Sequence, residues 1–268
     1  LMESGKNIIS NSIINTEGGD LINGDNNFIQ KIIFNLAYNK AGLKSIVKQT
    51  KNVLNKIQSD ISGHILKRNL TDLPIEEIIT NNQFLFIDGE AGSGKSAYAK
   101  QILETLDDTC IISFAADQFL KSSLINTLHE INVDLSIEEI FNEFEEFSNK
   151  LIYIDSFEKL LEGDAESFRE LVAVLKENKD IKLIVSCRSY ALETLKFNYF
   201  DKQLLQNNSA IIYVPRLYDE ELQYFVEKIP ALDSIVQNAN LAEIIRPPKY
   251  LSLAEKLITA SDEDLSII

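Results

Sequence analysis

Gly89-Glu90-Ala91-Gly92-Ser93-Gly94-Lys95-Ser96 is a complete G-x-x-x-x-G-K-S phosphate loop, and its reading decides the fold. Its glycines let the main chain curl with N–H groups facing inward, and a helix opening near Lys95 adds the positive end of its dipole. Such a nest suits a polyphosphate. Lys95 is placed to reach the outer phosphates as a compact charge, and the Ser96 hydroxyl to complete the coordination of a Mg2+ ion bridging them. The nucleotide-binding set therefore runs from Gly89 through Glu90, Ala91, Gly92, Ser93, Gly94, Lys95 and Ser96 to Ala97. Phe84, Leu85, Phe86 and Ile87 form a short apolar run before it, and Ala99, Ile102, Leu103 and Leu106 follow at helical spacing. Strand, loop and helix thus occur in the order the motif requires.

Working outward, the chain alternates apolar runs with helical patterns. Cys110–Phe114, Leu151–Ile154, Leu183–Ser186 and Ile211–Val214 are short runs rich in Ile, Val and Tyr. Ser136 with Glu139 is a capping box opening a helix through Phe144, and Phe168, Leu171, Val172 and Leu175 mark another apolar stripe. The fold class this predicts is α/β: a parallel sheet covered by helices on both faces, with the ligand at the carboxyl ends of the strands. Beyond Pro215 the pattern is helical only, so residues 216–268 read as a small helical lid domain and 64–215 as the core. Residues 28–63 read as a helical adaptor segment, the helical pattern running on to residue 66 with Gly42 dividing two helices. Residues 1–27 are rich in Asn and Gly, and read either as a short β-ribbon able to pair with copies of itself or as a flexible tail. Leu1 ahead of Met2, and the cap-like Ser261–Asp264 before Leu265, are signs of a piece of a longer protein in which a new helix opens near the end.

Composition sets further bounds. With 268 residues and 45% hydrophobic content the chain can bury one substantial core plus a smaller appendage. A formal charge of −15 argues against broad attraction to nucleic acid or anionic membrane. Cys110 and Cys187 lie inside strand-like runs, which favours reduced core thiols over a disulfide or metal site and points to the cytoplasm. No apolar run approaches the roughly 20 residues needed to span a bilayer.

The rest of a nucleotide site follows from the strand ends. Leu151-Ile152-Tyr153-Ile154-Asp155 is an apolar strand ending in a carboxylate that would hold Mg2+ through water, opposite Ser96. Glu158, three residues on, is placed to orient an attacking water or act as a general base, with a plain surface carboxylate as the alternative. Arg188 closes the next apolar run and could sense a γ-phosphate or simply form a structural ion pair. The catalytic set is thus Lys95, Asp155, Glu158 and Arg188, and the metal set Ser96 and Asp155.

With these pieces in place the chain resembles the STAND class of P-loop NTPases, the NACHT-like signalling ATPases, and in particular their large prokaryotic antiviral members. The resemblance spans roughly residues 64–258 and rests on Gly89–Ser96, on Leu151–Glu158 as an hhhhD-x-x-[DE] box, on Ile184–Arg188 as the first sensor, and on Pro248-Lys249-Tyr250-Leu251. It implies an ASCE-type fold binding ATP or ADP, in which Pro248 belongs to a helical domain that closes over the base. His64, Ile65 and Arg68 are similar to a His-Ile-x-Arg signal near adenine or ribose, with one extra residue; for His64, a helix-terminal surface histidine is the competing reading. Lys159 stands where many members carry a second acid, and His129 reads as a surface residue. What the resemblance implies is a nucleotide-gated switch: ADP holds the helical domain against the core, and exchange for ATP permits homo-oligomerisation and activation of an effector, with slow hydrolysis and with effector or sensor domains outside this chain. The alternatives are a turnover AAA+-like motor ATPase, or an assembly scaffold in which nucleotide is structural.

Overall fold

The computed structural model describes residues 41–65, 68, 74–144 and 147–265. The ribbon or tail expected over residues 1–27, and the helix expected to start at 28, lie outside the described residues up to Ala41.

Seven strands occur among the described residues, and five of them form one parallel sheet. The hairpin strands are β1 (Asp60–Ile61) and β2 (His64–Ile65); the sheet is built from β3 (Phe84–Gly89), β4 (Thr109–Ala115), β5 (Asn149–Asp155), β6 (Ile181–Arg188) and β7 (Ser209–Tyr213) in the order β4-β5-β6-β3-β7. Every pairing within the five is parallel. The sequence shows why: Phe84 to Ile87 and Leu151 to Ile154 are apolar at successive positions, as strands buried on both faces must be. All four expected strand runs are found. Because β6 lies between β3 and β5, the phosphate loop, Asp155 and Arg188 emerge from three neighbouring strand ends.

Helices cover both faces. On one side α3 (Lys95–Thr105) packs Ala99, Ile102 and Leu103 against Leu85, Ile87 and Tyr153. On the other, α6 (Glu166–Glu177) and α7 (Ser189–Tyr199) close over a cluster of aromatic rings. Phe168 lies at its centre, edge-on to Phe119 at 5.8 Å, Phe157 at 5.0 Å and Tyr199 at 5.2 Å. The helix opened by Ser136 is α5 (Ile137–Asn142), shorter than expected, and its capping box is present, with Ser136 N–H donating to Glu139 at 2.7 Å. His129 sits in α4 (Leu124–Glu130), half exposed and 3.4 Å from Asp134.

Two expectations need correction. Helix α1 (Ala41–Lys56) ends before residue 60, and Asp60 to Ile65 form a hairpin whose two-residue turn places Ser62 and Gly63 at φ of +51° and +78°. A Ser-Gly pair with both φ positive matches the twist of a tight hairpin, and Asp60 accepts from Gly63 N–H at 2.9 Å. The expected boundary between 63 and 64 falls inside this hairpin. Helix α1 also packs on the sheet: Leu43 and Ile46 join the main core, and Thr50 Oγ accepts from Ser113 N–H at 3.0 Å on the outer edge of β4. That contact satisfies an edge strand that would otherwise offer free N–H groups. Second, no helix opens at Ser261. Helix α12 (Pro248–Leu265) runs through it unbroken.

Between β7 and α12, α9 (Asp219–Lys228), α10 (Asp233–Val236) and α11 (Ala239–Ile245) gather around Phe225, Leu222 and Leu251, with Ile61 of the hairpin inserted in the same cluster. Cys110 and Cys187 are free, buried thiols, and burial pushes both pKa values up to about 12. No helix of the described residues is long and apolar enough to cross a membrane. Since Phe168 is fully buried among rings, Phe168→Ala is expected to cost about 3–5 kcal/mol of stability, read as the shift in denaturant midpoint; a loss under about 1 kcal/mol would show that this cluster is not the centre of the core.

Candidate nucleotide-binding site

Strand β3 delivers the chain into a loop whose shape depends on glycine in two ways. Gly92 and Gly94 take left-handed conformations, φ +79° and +86°, which a Cβ disfavours. Gly89 does not, but a Cβ there would lie 2.7 Å from Ser93 Oγ and 3.1 Å from Val214 O, so close packing alone requires glycine. The turn closes through Ser93 N–H to Glu90 O at 3.3 Å, and α3 starts at Lys95 with Gly94 as its cap residue. The first turn of α3 therefore presents free N–H groups to whatever the loop encloses.

Lys95 is only 9% exposed, and its Nζ donates to Glu90 O at 2.7 Å. Burial holds its pKa below the ordinary lysine value; Glu158 opposes that shift and Arg188 adds to it. Asp155 ends β5 with Oδ1 accepting from the Ser186 hydroxyl at 2.6 Å and the Tyr153 hydroxyl at 2.9 Å. The next residue, Ser156, takes a left-handed φ of +58° and donates its N–H to Ser186 Oγ at 3.0 Å. A non-glycine residue held there is the local strain that collects at functional sites. Glu158 and Arg188 meet each other: Nε lies 2.9 Å from Oε1, and the Arg188 N–H donates to Oε2 at 3.3 Å. The Glu158 side chain is 11% exposed, so it is no surface carboxylate.

Two cavities flank the loop. One of about 490 Å³ is lined by Lys95, Ser96, Asp155, Glu158 and Arg188, and also by Lys249. The other, about 460 Å³, lies beside α3 and is lined by His64, Arg68, Tyr98, Phe225 and Pro248. Gly94, Ala97 and Pro248 line both. The sequence-derived residues thus divide into a group beside the loop and a group beyond it. His64 lies in β2, not at a helix end. Arg68 is largely committed to structure: its Nε pairs with Glu221 at 2.7 Å, and its Nη2 donates to Pro215 O at 3.2 Å. Lys159, in place of a second acid, pairs with Asp117 at 3.4 Å.

Magnesium bound with phosphate keeps several waters and needs only one or two protein oxygens. Ser96 and Asp155 suit that role. Among the described residues Asp155 Oδ2 has one long contact, 3.5 Å from Ser156 Oγ, and is less engaged than Oδ1. Among the described residues no group of three His, Cys, Asp or Glu side chains could hold a metal without such help.

Sequence reasoning missed several contributors. Tyr153 reads as one more strand hydrophobe, although i, i+2 spacing puts it on the same face of β5 as Asp155. Ser186 follows Val185, which pairs with Ile154, so parallel register brings it beside Asp155. Arg216, directly after Pro215, holds Glu90 through Nε at 2.8 Å and Nη2 at 2.7 Å. Nothing in the sequence announces that contact across 126 positions.

Comparison with known proteins gives a family match and distant structural similarities. The profile of the family described as Novel STAND NTPase 3 matches residues 74–228, more than half of the chain. No curated protein matches. Among solved structures, the chain is similar to the Walker-type ATPase PABY2304 of Pyrococcus abyssi, with 15% identity and a TM-score of 0.47 over 80% of this chain and 79% of that one. It is also similar to the Aeropyrum pernix ORC2 protein, solved as ADPNP-ADP complexes, with 13% identity and a TM-score of 0.47 over 67% of this chain and 55% of that one.

Lys95→Met keeps the stem and removes the charge from the loop. Wild-type protein with Mg·ATP at a hundred times its Kd is expected to gain about 2.7 kcal/mol, or roughly 5–10 °C in Tm. The variant should gain nothing; an equal gain would place the nucleotide elsewhere.

Proposed function

We propose that this chain, which belongs to the Novel STAND NTPase 3 family, is an ATP-binding signalling switch in which exchange of ADP for ATP, followed by slow hydrolysis, controls oligomerisation and effector activation. The observation that carries this reading is the seat of α12 on the phosphate loop. Lys249 N–H donates to Gly92 O at 3.2 Å, and Pro248 Cγ lies 3.5 Å from where a Cβ on Gly94 would stand. The linker adds the Arg216–Glu90 pair at 2.7 Å. A helix resting on the loop feels whatever the loop holds.

A ligand shifts a two-state balance only through contacts it makes unequally in the two states. In this reading a third phosphate extends into the cavity that Arg188, Lys249 and Lys256 help to line. ADP and ATP therefore present different surfaces to α12. Slow turnover fits the Glu158–Arg188 pair, because a carboxylate held at both oxygens beside a guanidinium is a weaker base and less free to follow an attacking water. The same lock argues against the motor alternative. His64 and Pro248 beside the second cavity support a base subsite there, in which the resemblance to STAND ATPases implies adenine. That resemblance also implies the biological setting, prokaryotic antiviral defence, with copies of the chain and effector segments as partners.

Two variants test the reading. Glu158→Gln should slow hydrolysis at least tenfold while ATP affinity stays within about twofold; wild-type turnover would remove Glu158 from the mechanism. Gly92→Ala demands φ +79° of a residue with a Cβ and brings that Cβ to 2.9 Å from Lys249 Cβ. Amide exchange at Lys249 in the ADP-loaded variant should then be at least tenfold faster than in wild type. Unchanged exchange would show that loop and lid are not coupled.

A further inference from the structure

The Tyr153 side chain is among the largest that are fully buried, and it sits on the α3 side of the sheet, where a phenylalanine would fill the same volume. A hydroxyl at such a position costs free energy unless it finds partners. It finds one in Asp155, a group assigned to the metal: the hydroxyl donates to Asp155 Oδ1 at 2.9 Å. Ser186 supplies a second donor to Oδ1 at 2.6 Å. With both donors on one oxygen, the carboxylate is fixed in rotation, and Oδ2 is left with a long contact, 3.5 Å from Ser156 Oγ.

We propose that Tyr153 is a positioning residue for the divalent cation: its hydroxyl, together with that of Ser186, fixes the orientation of the Asp155 carboxylate that receives the metal–nucleotide complex. The proposal rests on the nucleotide reading above. Tyr153 touches neither metal nor nucleotide; it acts through Asp155, the carboxylate assigned to the metal.

The test separates metal-dependent from metal-independent binding. Tyr153→Phe removes one oxygen. ADP affinity is measured by calorimetry in EDTA and across a Mg2+ series, for wild type and variant. In EDTA the two are expected to agree within about twofold, because phosphate contacts with the loop are untouched. The increase in affinity that Mg2+ brings is expected to fall about tenfold, with the half-saturating Mg2+ concentration raised to match. Ser186→Ala removes the second donor without disturbing a large buried side chain, and should shift the same quantity by a smaller factor; it carries the test if Tyr153→Phe does not fold. An unaltered Mg2+ series in a folded variant, or equal loss with and without Mg2+, overturns the proposal, the second outcome marking Tyr153 as a packing residue only. If wild type binds ADP but Mg2+ adds nothing, the metal assignment fails and takes this proposal with it; if wild type binds no nucleotide at all, the nucleotide reading has failed first.

Discussion

Main-chain N–H groups can converge on one anion only if the chain turns through conformations that a side chain opposes. Gly92 and Gly94 supply those conformations, and Gly89 supplies the clearance that lets Ser93 and Val214 close on the turn. The other site features are arranged around that curl. The sheet order sets Asp155 and Arg188 on the two strands next along from β3, α3 aims its first turn at the same point, and α12 settles its own first residues on the loop's outer side. A chain with a net charge of −15 holds a buried ammonium there, at a depth that lowers its pKa. Such an arrangement is costly without an anion and stabilised by one.

Much of the fold was legible because the parallel strands are buried on both faces. Phe84–Ile87 and Leu151–Ile154 carry no polar interruption, and only strands between two helical layers read that way. The Ser136–Glu139 box was legible because capping is local chemistry. The hairpin at Asp60–Ile65 was not, since two-residue strands leave no period to detect and the helical pattern before them masks the Ser-Gly turn. The role of α1 was hidden for another reason: its apolar spacing shows that one face is buried, but not that Thr50 closes the edge of β4.

At the site, the motif residues announced themselves and their supports did not. Lys95, Ser96 and Asp155 fall at fixed offsets in the sequence. The groups that orient them are ordinary residues made special by neighbours far along the chain, as Tyr153, Ser186 and Arg216 are. Glu158 and Arg188 were each readable as strand-end chemistry, yet their pairing with each other changes what either does at rest. The left-handed Ser156 belongs to the same group, because nothing in a serine codon predicts a strained backbone.

The central claim is that the curl from Gly89 to Ser96 encloses the phosphates of one nucleotide per chain. Calorimetric titration of folded, nucleotide-stripped protein with Mg2+ and ADP tests it most directly. The account predicts a single saturable site at one nucleotide per chain. No heat beyond dilution from protein shown to be folded would contradict it.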